Sequence, residues 1–298
     1  MPNVFCVGIA VLDYIFSVGA MPDQGHKVGA SSLRTGHGGP ATTAAVAIAK
    51  LGGNARWMGP VGSDHAGGEL IAELRRHGID TTHAMRVSNC LSPTSAVILE
   101  PDGERTIVNY TDPDLTHQAP EPIDLGGCDA VLTDVRWPVA AVPVLRAARS
   151  AGLPSVVDFD HQVGDLDGEL LDAASHLAFS AQALRQRTGV GALGEALLTL
   201  AQNTHAHLLV TDGADGVTWL EGPEIKHLPA FPVDAVDTLG AGDLFHGALI
   251  LAIARGHDLA AAIRYAAAAA AIKCSRPGGR AGFPSHAEVE TFLGEHAS

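Results

Sequence analysis

Residues 233–256 read VDAVDTLGAGDLFHGALILAIARG. Gly240, Gly242 and Gly247 crowd into this stretch, Asp237 and Asp243 flank the first two, and an apolar run of helical character follows. Glycine lets a backbone turn tightly and bring its N–H groups close to a ligand. A helix that opens at such a turn offers unpaired N–H groups and the positive end of its dipole. Together these form an anion cradle. An aspartate in the same place would repel a bound phosphate. It makes sense either as a helix N-cap or as a base that takes the proton from a hydroxyl about to attack a phosphoryl group. On these residues alone, both roles stand open for Asp243. No lysine follows the glycines, so the loop is not a Walker A loop. Nor does it follow the first strand of a sheet, where a dinucleotide fingerprint would lie.

Upstream, short apolar runs alternate with longer helical patterns. Strands are expected over 3–10, 55–60, 130–134, 155–158, 177–179 and 207–211, and helices over 41–51, 68–77, 139–150 and 194–202. Strand then helix, repeated, predicts an α/β fold with a mostly parallel sheet covered on both faces. Two stretches break the rhythm. Residues 16–35 are polar with scattered Val and Leu. Residues 94–110, TSAVILEPDGERTIVNY, carry two β-rich runs around Pro101-Asp102-Gly103-Glu104, which predicts a hairpin. One domain over 1–298, with lid segments at about 14–36 and 94–112, is the economical reading.

Composition narrows the function. Of the 298 residues 46% are hydrophobic, enough for a sizeable core, and a formal net charge of −14 disfavours nucleic-acid partners. Cys6, Cys90, Cys128 and Cys274 lack C-x-x-C spacing and read as thiols of a reducing compartment rather than a zinc site. No apolar run reaches the roughly 18 residues of a membrane span. The start, MPNVFCVGIAVLDYI, reads as a core strand and not a signal peptide, so a cytoplasmic location is expected.

The stretch DTLGAGDLFHGALI resembles the C-terminal signature of the ribokinase-like (PfkB) carbohydrate kinases. GHGGPATTAAVAIAKLG, followed by VGSDHAGGELIAELRRHGID, resembles their first signature. The resemblance runs over essentially the whole chain. It implies a ribokinase-like three-layer sandwich with a small β-strand lid, ATP with Mg²⁺ as donor, and, in some members, a monovalent cation near the position of Asp237. By position it implies Asp243 as the base and the N–H groups of Gly240, Ala241 and Gly242 as the phosphoryl cradle. Asp13 would accept sugar hydroxyls, and Gly38 and Gly39 would let the backbone approach the sugar. VTDGADGV, with Thr211, Gly213 and Gly216, would meet the nucleotide; it also reads as an ordinary strand-turn-strand.

The chain departs from the family in places. No Asn follows the first glycines, where Pro40-Ala41-Thr42-Thr43 stands. Ser180 and Ala183 replace Asn and Glu of an N-x-x-E motif, so no metal ligands are assigned. Leu239 replaces a common Thr. Arg136, just past the strand AVLTDV, should face the ligand crevice at the strand C-termini. A guanidinium there suits a carboxylate, phosphate or sulfonate. Lys27, Asn109 and Arg136, with GGPATTAA and CSRPGGRAG, resemble the sulfofructose kinases. That implies 6-deoxy-6-sulfofructose, phosphorylated at O1, with these three residues on the sulfonate. Fructose, another ketohexose or 2-keto-3-deoxygluconate remain alternatives. So do a non-catalytic sugar or nucleotide sensor on the same fold and, less favoured, a nicotinamide oxidoreductase. Lid strand edges could pair between subunits, and a homodimer is expected by analogy.

Overall fold

The computed structural model describes residues 1–101, 105–161 and 167–296. The chain starts with β1 (Asn3–Val7), β2 (Val11–Ser17) and β3 (Ser32–Gly38). Next come α1 (Pro40–Lys50), β4 (Asn54–Met58), β5 (Pro60–Gly62), α2 (His65–Arg76) and β6 (Met85–Val87). β7 (Thr94–Leu99), β8 (Arg105–Tyr110) and the single-turn α3 (Pro113–Thr116) precede a regular alternation. This runs β9 (Ala130–Asp134), α4 (Pro138–Ser150), β10 (Ser155–Phe159), α5 (Asp167–Ala173), β11 (His176–Ser180), α6 (Ala181–Thr188), α7 (Leu193–Ala201) and β12 (His207–Thr211). β13 (Val217–Glu221) and β14 (Glu224–Leu228) form a hairpin, and α8 (Ala241–Ala254), α9 (Leu259–Cys274) and α10 (His286–Glu295) follow.

Eight strands make the central sheet in the order β14-β13-β12-β11-β10-β9-β1-β4. From β12 to β4 every pairing is parallel, whereas β13 and β14 join antiparallel. Successive side chains on a strand point to opposite faces, so each buried strand feeds two cores. Val4, Cys6 and Leu132 share one with α1, α8 and α9; Phe5, Val7 and Val131 share the other with α4, α6 and α7. Helices on both faces of a mostly parallel sheet give the ribokinase-like three-layer sandwich that was expected.

One expected strand is cut short and another is broken in two. The run 3–10 leaves the central sheet at Gly8, where a Cβ would fall 2.0 Å from Asp134 Oδ2. The chain re-enters as β2 of a second sheet, so Asp13 lies inside that strand and not at the end of the first. The run 55–60 breaks at Gly59, whose Cβ would fall 2.1 Å from Gly8 O. The second sheet has the order β3-β2-β7-β8 and combines both sequence excursions. Residues 18–31 join β2 to β3 without regular structure. β7 and β8 pair antiparallel, as the hairpin reading requires. Of its expected turn only Pro101 is described; Asp102, Gly103 and Glu104 lie outside the described residues.

Helix α8 crosses α1 at close range because Gly247 faces it. A Cβ on Gly247 would lie 2.6 Å from Ala44 O and 3.1 Å from Ala44 Cα. Both helices are buried along most of their length with small residues at the contact. Gly247→Val should therefore lower stability by about 1–3 kcal/mol through overpacking. Gly294→Ala on α10, where a Cβ meets nothing within 4 Å, serves as the neutral control. Urea unfolding followed by circular dichroism measures both; equal midpoints for the two variants would mean the crossing separates freely.

Candidate active site

Helix α8 begins at Gly240, whose φ of +75° lies in the left-handed region that glycine adopts without strain. Gly240 is the N-cap, so Asp243 is the third residue of the helix and no side chain caps this end. Of the two roles open for Asp243, the cap is thus already taken. The Ala241 N–H turns back to Thr238 O at 3.2 Å. Those of Gly240, Gly242 and Asp243 have no backbone acceptor among the described residues. Gly242 is exposed, and a Cβ there would meet nothing within 4 Å. Asp237 pins the preceding turn: its Oδ1 accepts the Leu239 N–H at 2.9 Å. Its Oδ2 accepts those of Gly278 at 3.1 Å and Gly279 at 2.9 Å.

This helix start opens into a cleft of about 950 Å³. Residues of the second sheet line one side, and Ile9, Arg136, residues 235–240, Asp243 and residues 278–281 are among those lining the rest. Asp13, Gly38, Gly39, Asn109, Arg136, Gly240 and Asp243 all border it. The glycines are sterically required. A Cβ on Gly38 would fall 2.7 Å from Asp13 Oδ2, and one on Gly39, at φ +99°, would fall 2.2 Å from Ile9 O. Pro40 then starts α1 at its first position, where a missing N–H costs nothing. Asn109 sits opposite Ser95 in register, and its Oδ1 accepts the Ser95 hydroxyl at 2.8 Å. Burial pushes the Asp13 carboxyl up, against the pull of the Ser95 hydroxyl and of Arg280.

The largely buried guanidinium of Arg280 borders the same cleft. Arg280 Nη2 donates to Gly38 O at 3.1 Å and to the hydroxyls of Thr42 at 2.9 Å and Thr43 at 2.8 Å. Its Nη1 donates to Glu73 Oε2 at 3.2 Å. Burial pushes the Asp243 carboxyl up to about 7, helped by the nearby negative charge of Asp158, while His246 and Arg280 pull it down. No hydrogen bond or ion pair engages the Asp243 carboxylate among the described residues. Below it, His246 Nδ1 lies 2.9 Å from Asp158 Oδ2, both side chains being buried. Neither ring nitrogen of His246 has an aligned hydrogen bond among the described residues. Burial opposes charging His246, but Asp158 and then Asp243 outweigh it and raise its pKa.

Other expected residues stand apart or differently. Lys27 is exposed on the segment 18–31 and is not part of the cleft wall. Arg136 borders the cleft, but its guanidinium is not free: it forms an ion pair with Asp160 through Nη2, and its Nε reaches Asp160 Oδ1 at 3.4 Å. Thr211, Gly213 and Gly216 lie at the end of β12, outside the wall of this cleft. Gly216, at φ +96°, is demanded by packing, since a Cβ would fall 2.2 Å from Leu228 O. Ser180 caps α6 by accepting the Ala183 N–H at 3.1 Å. The residues not foreseen are Arg280, Glu73, Asp158 and His246. His246 was legible as the histidine three positions after Asp243 on one helix face. Arg280 offered only a glycine-rich setting, RPGGRAG.

Among the described residues no helix is long and apolar enough to cross a membrane, and all four cysteines are free. The chain is 30% identical to the ribokinase of Bacillus subtilis over 98% of its own length and 100% of that protein. It is 28% identical to the ketohexokinase of Mus musculus, over 93% of this chain and 97% of that one. The structure of Arabidopsis thaliana ribokinase complexed with ribose and ATP superposes with a TM-score of 0.87, at 25% identity and 98% coverage of both chains. Residues 1–286 match the pfkB family carbohydrate kinase pattern, so the chain belongs to that family of phosphotransferases with an alcohol group as acceptor.

Proposed function

We propose that this chain transfers the γ-phosphoryl group of ATP to a sugar hydroxyl, with Asp243 as general base. The observation that carries this reading is an unpaired, half-buried carboxylate one helical turn inside a glycine cradle, on the same cleft as Asp13. A carboxyl held near 7 is half ionised at neutral pH and suited to taking a hydroxyl proton. The N–H groups of Gly240 and Gly242, with the Asp243 N–H, would receive the charge on the transferring group; that of Ala241 contributes less, being shared with Thr238 O. Asp13 would hold sugar hydroxyls, and Thr211, Gly213 and Gly216 would border the nucleotide. Relatives named as ribokinase, one of them complexed with ribose and ATP, support the donor and the acceptor class.

The described residues include no group of three His, Cys, Asp or Glu side chains able to share a metal. Asp160 and Asp158 are committed to Arg136 and His246. Mg²⁺ would therefore be held mainly by the nucleotide phosphates, which suits an ion that needs few protein ligands. The second sheet would act as a lid that excludes water. Leu33, Ile107 and Val108 on it are 60%, 51% and 65% exposed, which supports a homodimer formed through the lid.

The sugar we propose is an anionic ketose, 6-deoxy-6-sulfofructose, phosphorylated at O1. Asn109 and Arg136 on the cleft support it, and Arg34 adds a third basic or amide group there; Lys27 adds little from its exposed segment. A neutral pentose or ketohexose is the second reading. It is favoured by the Arg136–Asp160 pair, which already neutralises the guanidinium, and by the ribokinase and ketohexokinase relatives.

Asp243→Asn should lower kcat by about 10²-fold or more, the scale of general base catalysis; a variant with the parent kcat would remove Asp243 from the chemistry. In the parent, kcat should rise as pH climbs through about 7, because only the ionised carboxylate accepts the proton. Arg280→Gln should push that rise to higher pH, since the guanidinium draws the Asp243 carboxyl down. An inflection that stays in place would detach Arg280 from the base. ADP release measured with 6-deoxy-6-sulfofructose, fructose, ribose and 2-keto-3-deoxygluconate decides between the sugars. A neutral sugar with the higher kcat/KM would replace the sulfonate reading, and Arg136→Ala should then weaken all substrates alike.

A further inference from the structure

Lys273 is the last but one residue of α9, at the end of the alanine-rich run YAAAAAAIK. Its side chain is 0% exposed, an uncommon state for lysine. The ammonium is not buried among apolar groups. Its Nζ donates to Asp237 O at 2.7 Å and to Arg276 O at 3.2 Å, and lies 3.3 Å from Asp237 Oδ2. Three N–H donors thus meet three oxygens, two from backbone carbonyls and one from a carboxylate. Such an oxygen cage is what a desolvated small cation requires.

The cage stands at the root of the phosphoryl cradle. Asp237 holds the turn that leads into Gly240 through the Leu239 N–H, and holds the loop bearing Arg280 through Gly278 and Gly279. The N–H groups of Val236 and Asp237 both reach Cys274 O, so the turn is also tied to the end of α9. Burial pushes the Asp237 carboxyl up, but the Gly279 and Leu239 N–H groups and then Lys273 outweigh it and hold it below the usual carboxylate range. Asp237 is the acid near which some relatives are expected to use a monovalent cation. Here a metal cation brought to that carboxylate would face the buried ammonium across one shared negative charge. The residues present do not fit such an ion.

We propose that Lys273 is a positioning residue whose tethered ammonium takes the place of a monovalent cation at Asp237, so that the cradle is ordered without Na⁺ or K⁺. The proposal rests on the reading of residues 237–243 as the phosphoryl site. The cation is covalently attached to α9, so its local concentration does not depend on the medium. Removing it leaves Asp237 and two carbonyl oxygens facing an empty cage that a small cation could enter.

The test measures kinase rate and thermal midpoint in choline, Na⁺, K⁺ and NH₄⁺ chlorides at equal ionic strength. The parent chain should give one rate and one midpoint in all four. Lys273→Met, which keeps the stem and removes the charge, should lose about 10-fold or more in choline, as removal of supporting partners around ion sites does. K⁺ or NH₄⁺ should restore rate and raise its midpoint. A parent activated by K⁺ over choline would overturn the proposal without any variant, which covers the case in which Lys273→Met fails to fold. A folded Lys273→Met with the parent rate in choline would overturn it too. Asp243→Asn run in parallel separates the two readings. If it keeps the parent rate, the reading of the phosphoryl site fails. If it collapses while Lys273→Met does not, only the cation proposal fails.

Discussion

The Asp134 carboxylate, at the C-terminal end of β9, organises the site. Its Oδ2 accepts the N–H of Ile9 at 3.0 Å and that of Ala41 at 3.3 Å, and its Oδ1 accepts that of Arg136 at 2.9 Å. One buried group thus ties together the chain leaving β1, the start of α1 and the chain leaving β9. Burial pushes its carboxyl up to about 7 in spite of these three donors. Its position allows only glycine at residue 8. That glycine sends β2 out to the second sheet, which carries Asp13 to the cleft and leaves Gly38 and Gly39 across from it. Arg136 follows directly from the same anchor. The crevice beyond the strand ends is therefore shaped by one carboxylate placed where parallel strands commonly present ligands.

A chain of formal charge −14 nevertheless builds its site from paired charges. Arg280 meets Glu73, Arg136 meets Asp160, Lys273 meets Asp237 and His246 meets Asp158. Each pairing offsets part of the cost of removing a charge from water, and a buried charge without a partner would be strongly destabilising. Asp243 stands outside these pairs. It feels Asp158 on one side and His246 and Arg280 on the other, and keeps its oxygens free. The paired charges hold one another, and the acid proposed as the base is left without a partner among the described residues. The same logic explains why the loop 278–280 matters: Asp237 holds its backbone, and its arginine closes the floor between α1, α2 and β3.

The legible parts of this architecture are those set by short-range physics. The strands 130–134 and 207–211 could be read to the residue, because strands buried on both faces appear as near-continuous apolar runs between turns. The hairpin at 94–110 was legible from alternating β-rich runs about a turn sequence. The first strand was read three residues too long, to 10 instead of Val7, because nothing local marks Gly8 as its end; the cause is Asp134, far along the chain. Arg136 was correctly expected at the cleft from its place after a strand. Its neutralising partner, Asp160, stands just past the end of the neighbouring strand β10 and was not. Lys27 was expected near the substrate from resemblance, whereas it sits exposed on an irregular segment.

By itself the sequence determined the α/β alternation, the glycine turn before α8 and the acid that follows it, since periodicity, turn propensity and helix-end chemistry act over a few residues. It also carried the family signatures. Tertiary structure alone decided which charges meet. Arg280 reaches Glu73 across 207 residues and Lys273 reaches Asp237 across 36. Such pairs depend on how helices stack on the sheet, and no local pattern encodes that distance. The surroundings of Asp243 were likewise out of reach of local pattern: the residues alone offered a cap or a base, and in the folded helix Gly240 holds the capping position while the Asp243 carboxylate has no partner among the described residues.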